Sequence, residues 1–138
     1  MPNGGYAEKQ YVKFITGDAM MEPNIRIETN KKGFCHRHFS QMFTVGQKLP
    51  NALILESHLQ EIIDKYMPAK LKGKPDKKQL EGIKEELSSC YVCDRIASDM
   101  HHFMATVFAE WVKGEEFRKL YNEQPFICLK HYSFIMSA

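Results

Sequence analysis

The sequence lacks a strong charge bias, a long apolar run and any recognisable catalytic motif. Its 19 basic and 17 acidic residues leave a formal net charge of +2, which disfavours nucleic acid as a partner because such proteins usually carry a clear basic surplus. No apolar run approaches the roughly 20 residues that a membrane helix needs, so no membrane association is expected. A Ser–His–Asp set, a glycine-rich phosphate loop and paired carboxylates are also missing. The sequence therefore gives no support for an enzyme.

The chain is short, and it has few cysteines. Its 138 residues, 43% of them hydrophobic, can bury one core but hardly two. The N-terminus has no apolar segment typical of a secretory signal. We therefore expect a reducing, cytoplasmic compartment, in which cysteines serve as metal ligands or redox groups rather than structural disulfides.

All four cysteines stand at spacings typical of metal ligands or redox pairs. Cys90 and Cys93 form a CxxC motif, and Cys128 and His131 form a CxxH motif. Three thiolates and one imidazole are a set that binds structural Zn²⁺ in tetrahedral geometry. The sequence therefore predicts a structural zinc site made of Cys90, Cys93, Cys128 and His131. Dithiol redox chemistry, iron–sulfur ligation and buried cysteines without metal stay open as alternatives.

A second CxxH motif, Cys35 and His38, resembles the first. In both copies a basic residue precedes the histidine, and an aromatic residue and a serine follow it. We interpret this likeness as an internal duplication, with related halves 1–67 and 79–138 joined by a linker at 68–78 that is rich in Lys, Pro and Gly. The first half has no CxxC of its own. The CxxC of the second half ends 35 positions before Cys128, and the same interval counted back from Cys35 falls ahead of the first residue. Cys35 and His38 are then a half-site, which a second subunit or another side chain would have to complete.

Apolar residues recur at three- and four-residue steps along most of the chain, which predicts an all-α fold, a small helical bundle. Each CxxH is expected to open a helix, and the CxxC is expected to lie at a helix start, so that a CxxC/CxxH metal site clamps two helices together. Pro23 is expected to break the chain before a loop that leads to Cys35. Inward-facing positions are predicted at Tyr11, Phe14 and Ile15 in the first helix, and at Phe103, Phe108 and Trp111 in the helix after Cys93.

Several motifs together resemble an uncharacterised bacterial family, a domain of unknown function. The likeness spans most of the chain, and its most specific parts are the GFCxxH and CxxC elements. Members of that family usually carry a CPxC pair upstream of the first GFCxxH, which this chain does not have, so the resemblance also places a complete first metal site in question. It implies no activity. The matching segments are Gly17-Asp18-Ala19-Met20-Met21-Glu22-Pro23, Arg26, Asn30-Lys31-Lys32-Gly33-Phe34-Cys35-x-x-His38, Cys90-x-x-Cys93 and Phe126-x-Cys128-x-x-His131.

The function expected from the sequence is that of a zinc-binding helical protein whose metal is structural. Its role would be protein interaction, with a second copy of the chain or another protein as the partner. The alternative is a thiol redox or metal sensor that uses Cys90 and Cys93. Nucleic-acid binding ranks third.

Overall fold

The computed structural model describes residues 5–67 and 76–137, except for the side chain of residue 18. Within these residues the chain forms eight α-helices and one 3₁₀ helix and has no strand, so the prediction of an all-α fold is confirmed. The 3₁₀ helix, Asp18–Met21, lies between the first two α-helices. The α-helices are α1 (Tyr6–Ile15), α2 (Pro23–Lys32), α3 (His36–Val45), α4 (Lys48–Tyr66), α5 (Lys77–Ser88), α6 (Tyr91–Lys113), α7 (Glu115–Asn122) and α8 (Leu129–Ser137).

The chain divides into two compact units, Met1–Ile96 and Ala97–Ala138, with the boundary inside α6. The predicted division into halves 1–67 and 79–138 stays a prediction. Most of the predicted linker lies outside the described residues, and its last two lysines begin α5. The core of the first unit is formed by buried side chains from α1, α3, α4, the loop before α3 and the start of α6, namely Val12, Ile15, Phe34, Met42, Ile54, Cys90, Tyr91 and Val92.

The prediction of a loop after Pro23 is wrong, because Pro23 is the first residue of α2. Proline fits this position, since the first N–H of a helix has no helical partner and the fixed φ angle of proline is already helical. Helix α2 also has no apolar stripe, and Thr29 is its only buried residue. Hydrophobic periodicity therefore could not reveal it.

Polar contacts hold α2 against α4. Arg26 donates to the main-chain carbonyl of Leu53 at 2.5 Å and to the Ser57 hydroxyl at 3.1 Å. The same hydroxyl donates to Asn30 Oδ1 at 2.8 Å. One arginine thus connects two helices, and its planar guanidinium suits two acceptors better than a lysine would.

The inward position predicted for Phe14 is also wrong. Its side chain is 53% exposed, whereas Ile15 is fully buried and Tyr11 is half-buried. Neighbouring residues on a helix point about 100° apart, so Phe14 and Ile15 cannot both face the core. Val12, three residues before Ile15, shares the buried face instead.

The second unit is open. None of its described residues, 97–137, is buried. The stripe on α6 that was predicted to face a core therefore does not do so, since Phe103 is 65% exposed and Trp111 is 37% exposed. A segment of this size encloses little volume. Among the described residues, no helix is both long enough and apolar enough to span a membrane.

Candidate metal centre

Two helix starts meet in the first unit and bring a CxxH and a CxxC together. Cys35 immediately precedes α3, and its carbonyl accepts the Phe39 N–H at 3.0 Å. Cys90 stands in the same place before α6, and its carbonyl accepts the Asp94 N–H at 3.0 Å. His38 and Cys93 follow in the first turns, as the sequence predicted for CxxH and CxxC motifs. Both pairs therefore present two ligand atoms on one side of a helix start.

The four ligand atoms lie close enough together to bind one metal ion. They all lie within 4.8 Å of one another. His38 Nδ1 is 3.3 Å from Cys35 Sγ, 3.2 Å from Cys90 Sγ and 3.5 Å from Cys93 Sγ. Cys35 Sγ lies 3.9 Å from Cys93 Sγ. Zinc–ligand bonds of about 2.3 Å to sulfur and about 2.0 Å to nitrogen place tetrahedral neighbours about 3.8 Å (S···S) and about 3.5 Å (S···N) apart.

Burial favours the neutral histidine that a metal needs. His38 is completely buried, and this burial, followed by the nearby positive charge of Arg37, lowers the pKa of its imidazole. Its Nδ1 faces the three sulfurs, whereas its Nε2 is buried and has no hydrogen-bond partner in the described part of the chain. His38 is thus prepared to bind a cation through Nδ1.

The thiols affect one another strongly. Burial works to raise the pKa of the Cys35 thiol. Hydrogen bonds from the main-chain N–H of His38 and from the thiols of Cys90 and Cys93 outweigh this effect and lower the pKa. Although Cys93 as a residue is exposed, partial loss of water around its sulfur and the adjoining Cys90 raise the pKa of its thiol to about 12. Several thiolates in such a small space repel one another, and a divalent cation between them would compensate their charge.

The two ligand pairs are joined by contacts just outside the cluster. The Tyr91 N–H, next to Cys90, donates to the Gly33 carbonyl at 3.0 Å. The Ser89 hydroxyl donates to the Lys32 carbonyl at 2.5 Å, and the Lys32 ammonium pairs with Asp94 at 2.7 Å. The end of α2 is therefore attached to the start of α6, and Cys35 follows only two residues after Gly33.

Gly33 is required at this junction for two reasons. It has a φ angle of +58°, which side chains with a Cβ rarely adopt. A Cβ at Gly33 would also lie 2.6 Å from two atoms of the His58 ring. That ring is buried, and its Nδ1 donates to the Asn30 carbonyl at 2.7 Å.

The second CxxH lies in the other unit. Cys128 is exposed and precedes α8, and His131 is in the first turn of that helix. The predicted site that combines these two residues with Cys90 and Cys93 stays a prediction. What the structure does bring together is the CxxC and the half-site Cys35 and His38. The sequence identified both pairs, but their spacing carried no signal that they belong together.

No disulfide competes with a metal among the four cysteines, all of which are free. The distance of 3.9 Å between Cys35 Sγ and Cys93 Sγ is far longer than the roughly 2.05 Å of a disulfide bond. The cluster is therefore a group of thiols and one imidazole that could hold a metal ion.

Comparison with known proteins agrees with the family resemblance seen in the sequence. The model of a family of unknown function, DUF6062, matches residues 5–138. Searches of curated proteins and of solved structures gave no match. Because the family model covers nearly the whole sequence, the chain belongs to DUF6062, a family of unknown function.

Proposed function

We propose that Cys35, His38, Cys90 and Cys93 bind one structural Zn²⁺ ion, which fastens the start of α3 to the start of α6. The observation that carries this proposal is the close approach of the four ligand atoms, with His38 Nδ1 within 3.5 Å of three sulfurs. Zinc is the metal that best suits a mixed set of thiolates and imidazole.

A structural role follows from the number of ligands. Structural zinc sites are closed by four protein ligands, whereas catalytic sites keep one position for water or substrate. Here three sulfurs and one nitrogen supply all four positions. The ion would join residues far apart in the sequence, and its binding free energy would add to the free energy of unfolding.

The biological role that we propose for this metal-stabilised protein is interaction with another protein. Support comes from the second unit, in which large apolar side chains such as Phe103, Phe126 and Leu129 are exposed. Apolar surface of this kind commonly marks protein interaction sites. A cytoplasmic, reducing location is part of the proposal, because it keeps the thiols available to the metal.

The test is the zinc content of reduced protein purified without a metal-affinity tag, measured by elemental mass spectrometry. Cys35→Ser and His38→Ala should each lower the content by about one zinc ion per chain, since a tetrahedral site that has lost a ligand binds weakly. His36→Ala is the matched control, because His36 is exposed and adjacent to the cluster but not part of it. It should retain the zinc.

The same measurement covers the ligand set predicted from the sequence. If Cys128→Ser removes one zinc ion per chain while Cys35→Ser removes none, Cys90 and Cys93 use Cys128 and His131 instead. The proposed centre would then be wrong. Protein without zinc after purification and after incubation with zinc would contradict both sets.

A redox or metal sensor is the second candidate function, and the exposure of Cys93 favours it. Its sulfur lies 3.9 Å from Cys35 Sγ, so a small movement would allow a disulfide. Hydrogen peroxide would take two electrons from the two thiolates and be reduced to water as the S–S bond forms, and zinc would leave. Rapid, reversible zinc release on peroxide addition would support the sensor. Thiols that react slowly until a chelator is added would support the structural role.

A further inference from the structure

The second CxxH repeats the local structure of the first. The carbonyl of Cys128 accepts the Tyr132 N–H at 3.0 Å, just as the carbonyl of Cys35 accepts the Phe39 N–H at 3.0 Å. His131 is the third residue of α8, and His38 is the third residue of α3. The two segments therefore share both their sequence pattern and their helix-start geometry. In the first segment this geometry belongs to a four-ligand cluster.

The second CxxH has only half of the ligands that such a cluster needs. The chain has four cysteines, and the proposed zinc site already uses Cys35, Cys90 and Cys93. Among residues 5–67 and 76–137, no group of three or more candidate ligands includes Cys128 or His131. Two ligands do not complete a tetrahedral zinc site. A second copy of the chain could supply the other two.

The surface around Cys128 is apolar and open. Leu129, Tyr132 and Met136 are spaced three and four residues apart, so they form one stripe along α8. All three are exposed, Leu129 to 83%. The opposite side of the helix is occupied, because the Phe134 ring packs against the His101 ring with 5.2 Å between the centroids. Tyr132 follows Cys128 by one turn, so Cys128 lies beside this stripe.

We propose that two copies of the chain associate through α8 and that Cys128 and His131 from each copy together bind a second Zn²⁺ ion. Across a two-fold axis, the CxxH motifs of two copies together supply two thiolates and two imidazoles, which is an established zinc ligand set. The same axis brings the two apolar stripes together and removes them from water. The inference rests on the proposed function in one respect. It requires Cys90 and Cys93 to share their zinc ion with Cys35 and His38, so that they are not available to Cys128 and His131.

A second copy is favoured over an unrelated partner by the ligand count. Two-fold association of identical chains supplies the missing thiolate and imidazole without any further assumption. Dimerisation would also cover the apolar stripe, because the stripe of one copy would pack against the same stripe of the other. A shared zinc ion in a homodimer would therefore use both the ligand pair and the apolar stripe.

The test combines molar mass from light scattering with zinc content, on full-length reduced protein incubated with zinc and then freed of excess metal. The wild-type protein should be a dimer with about 1.5 zinc ions per chain, one from each first site and half from the shared site. Cys128→Ser and His131→Ala should each give a monomer with about 1.0 zinc ion per chain. Both side chains are exposed, so circular dichroism should show intact helices. Lys130→Ala, a change of the exposed residue between the two ligands, is the matched control and should stay dimeric.

Three outcomes would overturn the inference. The first is a wild-type monomer with about one zinc ion per chain. The second is a dimer whose mass and zinc content do not change in Cys128→Ser. The third is loss of a whole zinc ion per chain in Cys128→Ser, which would also contradict the proposed first site. Failure of the first site alone is distinguishable, because zinc content would then be unchanged in Cys35→Ser.

Discussion

Replacement of Gly33 by alanine tests whether the junction between α2 and α6 supports the metal centre. Two costs can be worked out from the structure. The backbone at Gly33, with φ +58° and ψ −155°, lies in a region that only glycine occupies readily, and forcing alanine into it costs about 2 kcal/mol. The new Cβ would meet the His58 ring at 2.6 Å, which neither group can tolerate without moving.

Relief of that clash requires His58 to move. The ring would lose its 2.7 Å hydrogen bond to the Asn30 carbonyl, and a buried polar group without its partner costs about 2 kcal/mol. We therefore expect Gly33→Ala to lower the free energy of unfolding by about 4 kcal/mol, the sum of the two costs. Because the Gly33 carbonyl accepts the N–H next to Cys90, zinc affinity should fall as well, by about tenfold or more.

The assay is urea unfolding of the zinc-loaded protein, followed by circular dichroism. Gly5→Ala is the matched control, because a Cβ at Gly5 meets no atom within 4 Å, and it should change the free energy of unfolding by less than about 1 kcal/mol. The double variant Gly33→Ala, His58→Ala should be more stable than the sum of the single changes indicates, since the clash is then absent. A loss below about 1 kcal/mol in Gly33→Ala, or strict additivity in the double variant, would refute the reasoning.

Three further predictions concern metal, pH and the contact between α2 and α4. Stripping zinc with a chelator should lower the melting temperature without a gross loss of helical signal, and an unchanged melting curve would argue against a structural ion. Burial works to raise the pKa of Glu86, but hydrogen bonds from Tyr66 and Lys65 hold it below its ordinary value of 4.5. Its contribution to stability should therefore be complete above that value and fade as the pH falls below it, and Glu86→Gln should remove this part of the pH dependence of urea unfolding. Arg26→Lys should lower the free energy of unfolding by about 1 to 2 kcal/mol, because an ammonium cannot reach both the Ser57 hydroxyl and a carbonyl of α4 in the same way; an unchanged urea midpoint would show that these contacts carry little weight.

Hydrophobic periodicity located a helix whose apolar residues form a stripe. It failed for a helix that is held in place by polar contacts. The helix after Cys93 was located from its spacing, and it corresponds to α6. Helix α2 was missed because its contact with α4 depends on Arg26 and its hydrogen bonds. Those acceptors lie 27 and 31 residues further along the chain, so no local pattern contains them.

The burial of the predicted stripes was harder to foresee than their helical character. An amphipathic pattern shows that one side of a helix avoids water, but it does not name the surface that covers it. Trp111 illustrates this, since its ring packs edge-on against Tyr121 with 5.3 Å between the centroids and yet stays partly exposed. The apolar residues of the second unit therefore indicate a surface to be covered, which is what the proposed dimer would do.

The choice between the two CxxH motifs was beyond the reach of ligand spacing. Thirty-four residues separate Cys93 from Cys128, and 51 separate His38 from Cys90. Loop-closure entropy favours the shorter connection by only about 0.4 kcal/mol. The two hydrogen bonds that join Lys32 and Gly33 to the start of α6 contribute about 1 kcal/mol each, which is enough to reverse that preference. Such contacts depend on the folded backbone, so the sequence could supply all of the candidate ligands but not their pairing. Zinc content in Cys35→Ser and Cys128→Ser therefore measures whether the hydrogen bonds at Lys32 and Gly33 outweigh the loop-closure entropy.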